Sequence, residues 1–450
     1  MNELIKWAEP KFAVLALLIF TGVLDIPSYN SLSDGVAKGA AGAIASGSPF
    51  EPLTKLLRYG IYLATILLII ARFKSVVRPA MRDPFLWALV GLALMSFIWS
   101  DFPDISRKEG FLTLLITLFG LYLASRYTLN EQLRIVAWTT GIAVVFSLLY
   151  TLALPGWGIE QGIHAGAWRG PLVQKNLFAR LMAICGLPLL LSTNKTHKYR
   201  YIIWTIFGLA VMQLLFSDSK TALVAFLTLI ILLPFYQALG WANSTTIPIL
   251  ITIVLLGASG GTWLISNWES FLTGLGRDTT LTGRTDIWAA VIDKIREQPW
   301  LGYGYKAFWQ AGGGQDYVWY VFRFAIFTAH NGYIDLTAQL GLLGLSCFVL
   351  SFITAYMRAL AWIRLGKTSE WLWPITYLTF IFMYNQSEST NIETNSFFWI
   401  LYVAVTLSMG YVQMVDPDRE ELALSENEKL VPDEITYPYQ PRFIKKAIDL

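Results

Sequence analysis

The chain has 450 residues with 34 Lys and Arg against 31 Asp and Glu, a formal net charge of +3. Charged residues make up 14% and hydrophobic types 55%, with a mean hydropathy of +0.50, whereas a soluble domain carries roughly 25% charged residues. This excludes a disordered chain and a basic nucleic-acid-binding surface, and it leaves too few charges to coat two or three soluble domains. The composition is that of an all-α polytopic membrane protein. Cys185 and Cys347 each sit in an apolar run, which argues against a disulfide scaffold or a cysteine-based metal site.

A bilayer-spanning helix needs about 20 mostly apolar residues. That ruler gives about twelve candidates: 11–28, 57–75, 84–100, 110–126, 134–154, 176–192, 200–216, 219–239, 245–265, 330–358, 371–386 and 395–414. The first runs on to Asp25 and Pro27 without a small-residue cleavage pattern, so it reads as a retained span. The loops alternate in basic content. Arg72, Lys74, Arg78 and Arg82 follow the second span, Lys195, Lys198 and Arg200 the sixth, and Arg358, Arg364 and Lys367 the tenth. Basic loops stay in the cytoplasm, so both termini are expected inside. The long loops 29–56 and 266–329 are then expected outside.

Within the second long loop, Arg284, Thr285 and Asp286 lead into Ile287, Trp288, Val291, Ile292 and Ile295, an apolar stripe at helical spacing. Pro299 ends it. Gly302 and Gly304 follow, then Tyr305, Phe308, Trp309, Tyr317, Trp319 and Tyr320. The pattern predicts an amphipathic helix at the outer interface and an aromatic segment returning toward the membrane. Residues 1–415 are expected to form one membrane domain. Residues 416–450, with Asp416, Asp418, Glu420 and Glu421, are expected to be a cytoplasmic tail without chemistry.

The unusual polar residues gather on the expected outer side. Gly166, Trp168, Arg169 and Gly170 precede Lys175 and Asn176. Ser217 to Lys220 precede the eighth span, His330 and Asn331 the tenth, and Gln386, Glu388 and Glu393 lie between the last two. Arg169, Lys175, Lys220 and Arg284 are cations where the loop rule disfavours them, and charges near or within a membrane tend to face a working cavity. Several outward-facing helix starts would add their positive dipole ends, so cations and helix N-termini would converge on an anion such as a diphosphate. Solvated loops are the bland alternative. A secondary transporter of a small anion is a rival reading, but it calls for ionisable or broken segments near the midplane, and here the polar groups sit at one face.

His330 and Asn331, then nine residues, Gly341, two residues and Gly344, resemble the signature of the bacterial O-antigen ligase and polymerase superfamily, which includes exopolysaccharide polymerases. Arg169 and Gly170 ahead of Lys175 and Asn176 are similar to the corresponding loop of the exopolysaccharide branch. Ser217 to Ala222, Arg284 with Ile287 and Trp288, Pro299 with Gly302 and Gly304, and Glu388 also resemble family positions. The likeness covers roughly residues 160–400.

The resemblance implies a metal-independent C-type glycosyltransferase without a cofactor. Such an enzyme moves a glycan from undecaprenyl diphosphate to an acceptor hydroxyl at the outer leaflet of the bacterial inner membrane. The expected partners are the lipid-linked oligosaccharide, an acceptor glycan or glycolipid, membrane lipid, and chain-length or export proteins. No nucleic acid is expected. Polymerase is favoured, with ligase transferring glycan to lipid A core as the alternative. Without a metal, charge on the leaving diphosphate needs fixed cations. Arg284 and Arg169 are first choices for their bidentate grip, ahead of Lys175 and Lys220. His330 is the candidate base, since a free imidazole titrates at about 6.5, with phosphate binding or orientation as the other reading. Glu388 is grouped with it. Asn331, Asn176 and Asp335 are candidates for acceptor contact or orientation, Asp335 equally for capping or packing. Gly341 and Gly344 are expected to permit close packing on one helix. Trp168, Trp309 and Trp319 are candidates for stacking on sugars.

Overall fold

A computed structural model describes residues 3–25, 51–161, 164–192, 199–239, 284–323, 326–365, 371–386 and 388–410. The candidate span 245–265, most of the loop 29–56, loop residues 266–283, His197 and the tail with Asp416 and Asp418 lie outside the described residues.

The described chain is helical: α1 Glu3–Phe20, α2 Glu51–Ala71, α3 Phe73–Ala80, α4 Pro84–Met95, α5 Pro103–Arg126, α6 Leu129–Ala153, a short α7 Pro155–Gly158, α8 Lys175–Ser192, α9 Arg200–Phe216, α10 Lys220–Leu239, α11 Arg284–Glu297, α12 Gly314–Phe322, α13 Gly332–Leu365, α14 Leu372–Tyr384 and α15 Phe397–Ser408. Among the described residues the β pairing is confined to one isolated bridge between Ile159 and Trp168. Local sequence sets several ends. Thr128 and Glu131 form a reciprocal capping box at the start of α6. Asp83 caps α4, whose first residue is Pro84.

Among the described residues, six helices (α2, α5, α6, α8, α10 and α13) are long and apolar enough to cross a membrane, or seven spans if the pair α3 and α4, bent by 97°, counts as one. The protein is a polytopic membrane protein. Helices α9, α14 and α15 are apolar but shorter. With 13 and 12 residues, α14 and α15 extend about 20 Å at 1.5 Å per residue, less than a bilayer core. They are buried nearly all round, with Trp373, Tyr377, Trp399 and Tyr402 among the largest fully enclosed side chains. Their apolar composition thus reflects a protein interior as well as a membrane. Helix α5 packs closely on α15: a Cβ on Gly120 would fall 2.6 Å from Val403, and Trp399 donates to Thr117 at 2.9 Å.

The two ends of the bundle differ. At one end Arg72 and Arg126 pair with the buried Glu9 at 2.6 and 2.8 Å, and Arg82 donates to the last carbonyls of α15, Leu407 and Ser408. At the other end Glu109 of α5 accepts from Thr394 at 2.6 Å. Glu109 and Arg126 lie about 25 Å apart along α5 by helical rise.

One break organises that second end. Helix α13 is interrupted at Gly341, with φ 64° and ψ −170°, a region open essentially to glycine alone. Residues 299–304 lie in the break. Leu342 and Leu343 donate to the carbonyls of Pro299 and Trp300, and Tyr303 and Gly304 donate to those of Ala338 and Gln339. A Cβ on Gly341 would come 2.2 Å from the Trp300 backbone, and one on Gly302 would meet the Ala338 carbonyl at 2.7 Å. The expectation that Gly341 sits on a continuous helix is therefore corrected. Backbone groups freed inside the bundle need new partners, and the inserted strap supplies them.

The stripe of α11 also differs from expectation. Ile287, Ala290 and Val291 are buried in a small second core with Tyr303, Phe308, Val318, Ala329 and Ala338, so this face packs on protein. Gly341→Ala is expected to lower stability by about 2–5 kcal/mol, combining a forbidden φ with overpacking. Gly60→Ala, where a Cβ meets nothing within 4 Å, should be near neutral. Thermal unfolding of the two variants in detergent checks the difference.

Candidate functional site

The strap and the break place three segments together: the start of α11, the loop before α13, and residues 388–396 between α14 and α15. That joining segment lies within the length of the helices. The Tyr305 hydroxyl donates to the Ile392 carbonyl at 2.7 Å and accepts from Thr113, ten residues into α5, at 3.0 Å.

Glu388 is the centre. Its Oε2 lies 3.1 Å from His330 Nδ1. Its Oε1 accepts from Arg284 Nη2 at 3.2 Å and from Asn176 Nδ2 at 3.4 Å. The carboxylate is 14% exposed. Burial pushes its pKa up, but the His330 hydrogen bond and the charges of His330, Arg284 and Arg180 outweigh that and hold it below the usual carboxylate range. A carboxylate only accepts, so the facing Nδ1 carries a proton, and in a neutral ring Nε2 is then the lone-pair acceptor. His330 also has φ 51°, a left-handed conformation uncommon for a side chain of this size and concentrated at working sites.

Asp335 holds this arrangement from beneath and is 4% exposed. It accepts from Trp309 Nε1 at 2.7 Å, Thr328 Oγ1 at 2.8 Å, the Ala329 amide at 3.1 Å, and Ser389 Oγ. Thr328 and Ala329 lead into His330, and Ser389 follows Glu388, so one buried carboxylate fixes both partners. Trp288 of α11 donates to Ala329 at 2.8 Å, tying in the helix of Arg284. Asn331 caps α13, its Oδ1 accepting from Tyr333 and Ile334, while its Nδ2 reaches the Gln386 carbonyl at 3.4 Å.

The structure thus joins His330, Arg284, Glu388 and Asn176 directly, with Asn331 and Asp335 shaping their backbones. The other predicted cations stand apart from these contacts. Arg169 is buried, donates to the Trp157 carbonyl at 2.8 Å, and has its pKa lowered by burial. The Lys175 ammonium points to Asp218, 3.3 Å from its carbonyl and 3.5 Å from its carboxylate. Lys220 opens α10 and is exposed. The first amide of α8 already donates to Glu160 at 2.5 Å, so a protein carboxylate occupies that helix start. Trp168 stacks on Phe216, and Trp309 and Trp319 donate to Asp335 and Ile326.

Sequence reasoning missed Arg180, Thr328, Ser389 and Tyr384. Tyr384 donates to the Asn176 carbonyl at 3.2 Å. Arg180 carried an available signal, being a cation inside an apolar run. The hydroxyl residues carried none.

Residues 205–349 match the O-antigen ligase family. The chain is similar to that family over this segment, about a third of its length. It is also 24% identical over 331 residues, 70% of this chain and 73% of the relative, to exopolysaccharide production protein ExoQ of Rhizobium meliloti strain 1021. The family match contains Arg284 and His330, whereas Asn176 and Glu388 lie outside it.

Because the folded Glu388 carboxyl is held below its ordinary value, its stabilising contribution is present above the unfolded pKa and lost as pH falls through the folded one. The thermal midpoint of the protein should fall on acidification through that window, and Glu388→Gln should flatten this part of the profile. Asp335→Ala, which strands four donors, should destabilise by about 3–5 kcal/mol, read by chemical denaturation in detergent.

Proposed function

We propose that the protein transfers a glycan from undecaprenyl diphosphate to an acceptor sugar hydroxyl, extending a polysaccharide, as a metal-independent C-type glycosyltransferase. The observation that carries this reading is Glu388 bridging His330 Nδ1 and Arg284. In the reaction the acceptor oxygen attacks the anomeric carbon of the donor sugar and the bond from that carbon to the diphosphate oxygen breaks. The acceptor proton passes to His330 Nε2, and the lipid diphosphate leaves with the bonding pair. Glu388 stabilises the imidazolium so formed. Arg284 faces the same carboxylate, and its guanidinium is the group assigned to the departing diphosphate. Arg169, Lys175 and Lys220 add positive potential along the approach.

On this reading the Glu388 end faces the periplasm and the end with Arg72, Arg82 and Arg126 faces the cytoplasm, as do both termini, in a bacterial inner membrane crossed about twelve times. The membrane domain then spans residues 1–415, with 416–450 as a cytoplasmic tail. Chain-length regulators or export proteins would be its partners. The relative named for exopolysaccharide production supports chain extension. Attachment of glycan to lipid A core is the second reading, favoured by the family description O-antigen ligase.

His330→Ala and Arg284→Ala are each expected to abolish polymer while the protein still inserts in the membrane, a loss of at least about 100-fold for the base. Purified protein incubated with a lipid-linked repeat unit, with products sized on a gel, gives the readout, and a chelator should leave the rate unchanged. Normal product length in either variant would sink the assignment. In cells lacking the gene, single repeats still attached to the surface indicate a polymerase, and loss of all attachment a ligase.

A further inference from the structure

Helix α8 meets residues 388–396 at two levels. Asn176 reaches Glu388. Four residues on, and so on the same helical face, Arg180 meets Glu393 through both terminal nitrogens, Nη1 to Oε1 at 3.5 Å and Nη2 to Oε2 at 3.3 Å. The Arg180 guanidinium also lies 4.4 Å from the centre of the Phe398 ring at the start of α15. Its side chain is only 10% exposed, and its buried Nε has no hydrogen-bond partner among the described residues. A charge kept in an apolar helix, with one donor unsatisfied, is a poor packing choice and marks a functional constraint.

We propose that Arg180, through its two-point pair with Glu393, is a positioning residue of the transfer site. It pins residues 388–396 to α8 one helical turn from the level at which Glu388 meets His330 and Arg284. The inference rests on the transfer reading above for its role in catalysis, though not for its geometry. Glu388 and Glu393 lie five residues apart on one connecting segment, and Thr394 is held in turn by Glu109 of α5. Releasing Glu393 would leave the Glu388 end of that segment tethered by Ser389 and the cluster itself. A displacement of about 1 Å is enough to cost on the order of 100-fold in rate. A point-charge lysine lacks the planar fork that makes the two contacts.

The test uses the full-length protein in detergent or proteoliposomes with a lipid-linked repeat unit. Arg180→Lys should lower kcat about 10- to 100-fold while KM for the lipid-linked donor stays within about 3-fold. Arg180→Gln removes a positive charge near Glu388, whose other charged or titratable neighbours are Arg284, His330, Tyr384 and Glu393. Its acid limb should therefore move to higher pH. A raised KM with unchanged kcat would make Arg180 a substrate contact and overturn the positioning role, as would unchanged kinetics in both variants. A readout independent of turnover comes from Asn176→Cys with Glu388→Cys, in a chain with Cys185→Ala and Cys347→Ala, joined by a short bis-thiosulfonate linker. Adding Arg180→Lys should reduce linking several-fold, and an unchanged yield overturns the proposal. If the parent protein forms no polymer, the transfer reading fails, while the linking yield still decides the placement of the loop.

Discussion

Everything at the polar end of this bundle depends on a short length of backbone lying in another helix. The strap 299–304 supplies the carbonyls and amides that the interruption of α13 at Gly341 leaves without helical partners. In lipid an interrupted helix with open backbone groups is prohibitively costly. The strap must therefore be seated for α13 to hold its upper turns, and α13 must be broken for the strap to seat. The strap continues from α11, which carries Arg284, and the upper part of α13 is entered through His330. A backbone exchange thus fixes the distance between the two most chemically capable residues.

The charges then balance locally. Two carboxylates, Glu388 and Glu393, are each met by a guanidinium, from Arg284 and Arg180, so neither is buried alone. The buried Asp335 is treated differently, being satisfied by hydroxyl, indole and amide donors. That contrast separates roles. Glu388 and Glu393 face cations, whereas Asp335, facing neutral donors, holds the backbones of the other residues in register.

Membrane class and helical build were legible from composition and hydropathy, and His330, Arg284, Glu388 and Asn176 were among a wider group of residues singled out by the family resemblance; it is the structure that brings these four into contact. The reason for Gly341 was not, because spacing alone reads the same whether a glycine lets helices approach or breaks one. The α11 stripe was found as a helix but assigned to the lipid surface, since an apolar face looks identical whether it meets acyl chains or Phe308 and Tyr303. The cations Arg169 and Lys175 were grouped with the site as cations on the expected outer side that resemble a family loop, yet their side chains turn to Trp157 and Asp218. Direction is a property of tertiary packing and leaves no trace in order along the chain.

The seam between strap and helix also sets what can be exchanged between relatives. Residues 284–304 and 326–349 meet as key and lock, and both fall within the O-antigen ligase match, while Asn176, Arg180, Glu388 and Glu393 lie outside it. A segment grafted from a similar protein would need to travel as the whole keyed unit, with the flanking helices left as host. Shuffling at a boundary inside the seam would yield hybrids whose halves no longer interlock.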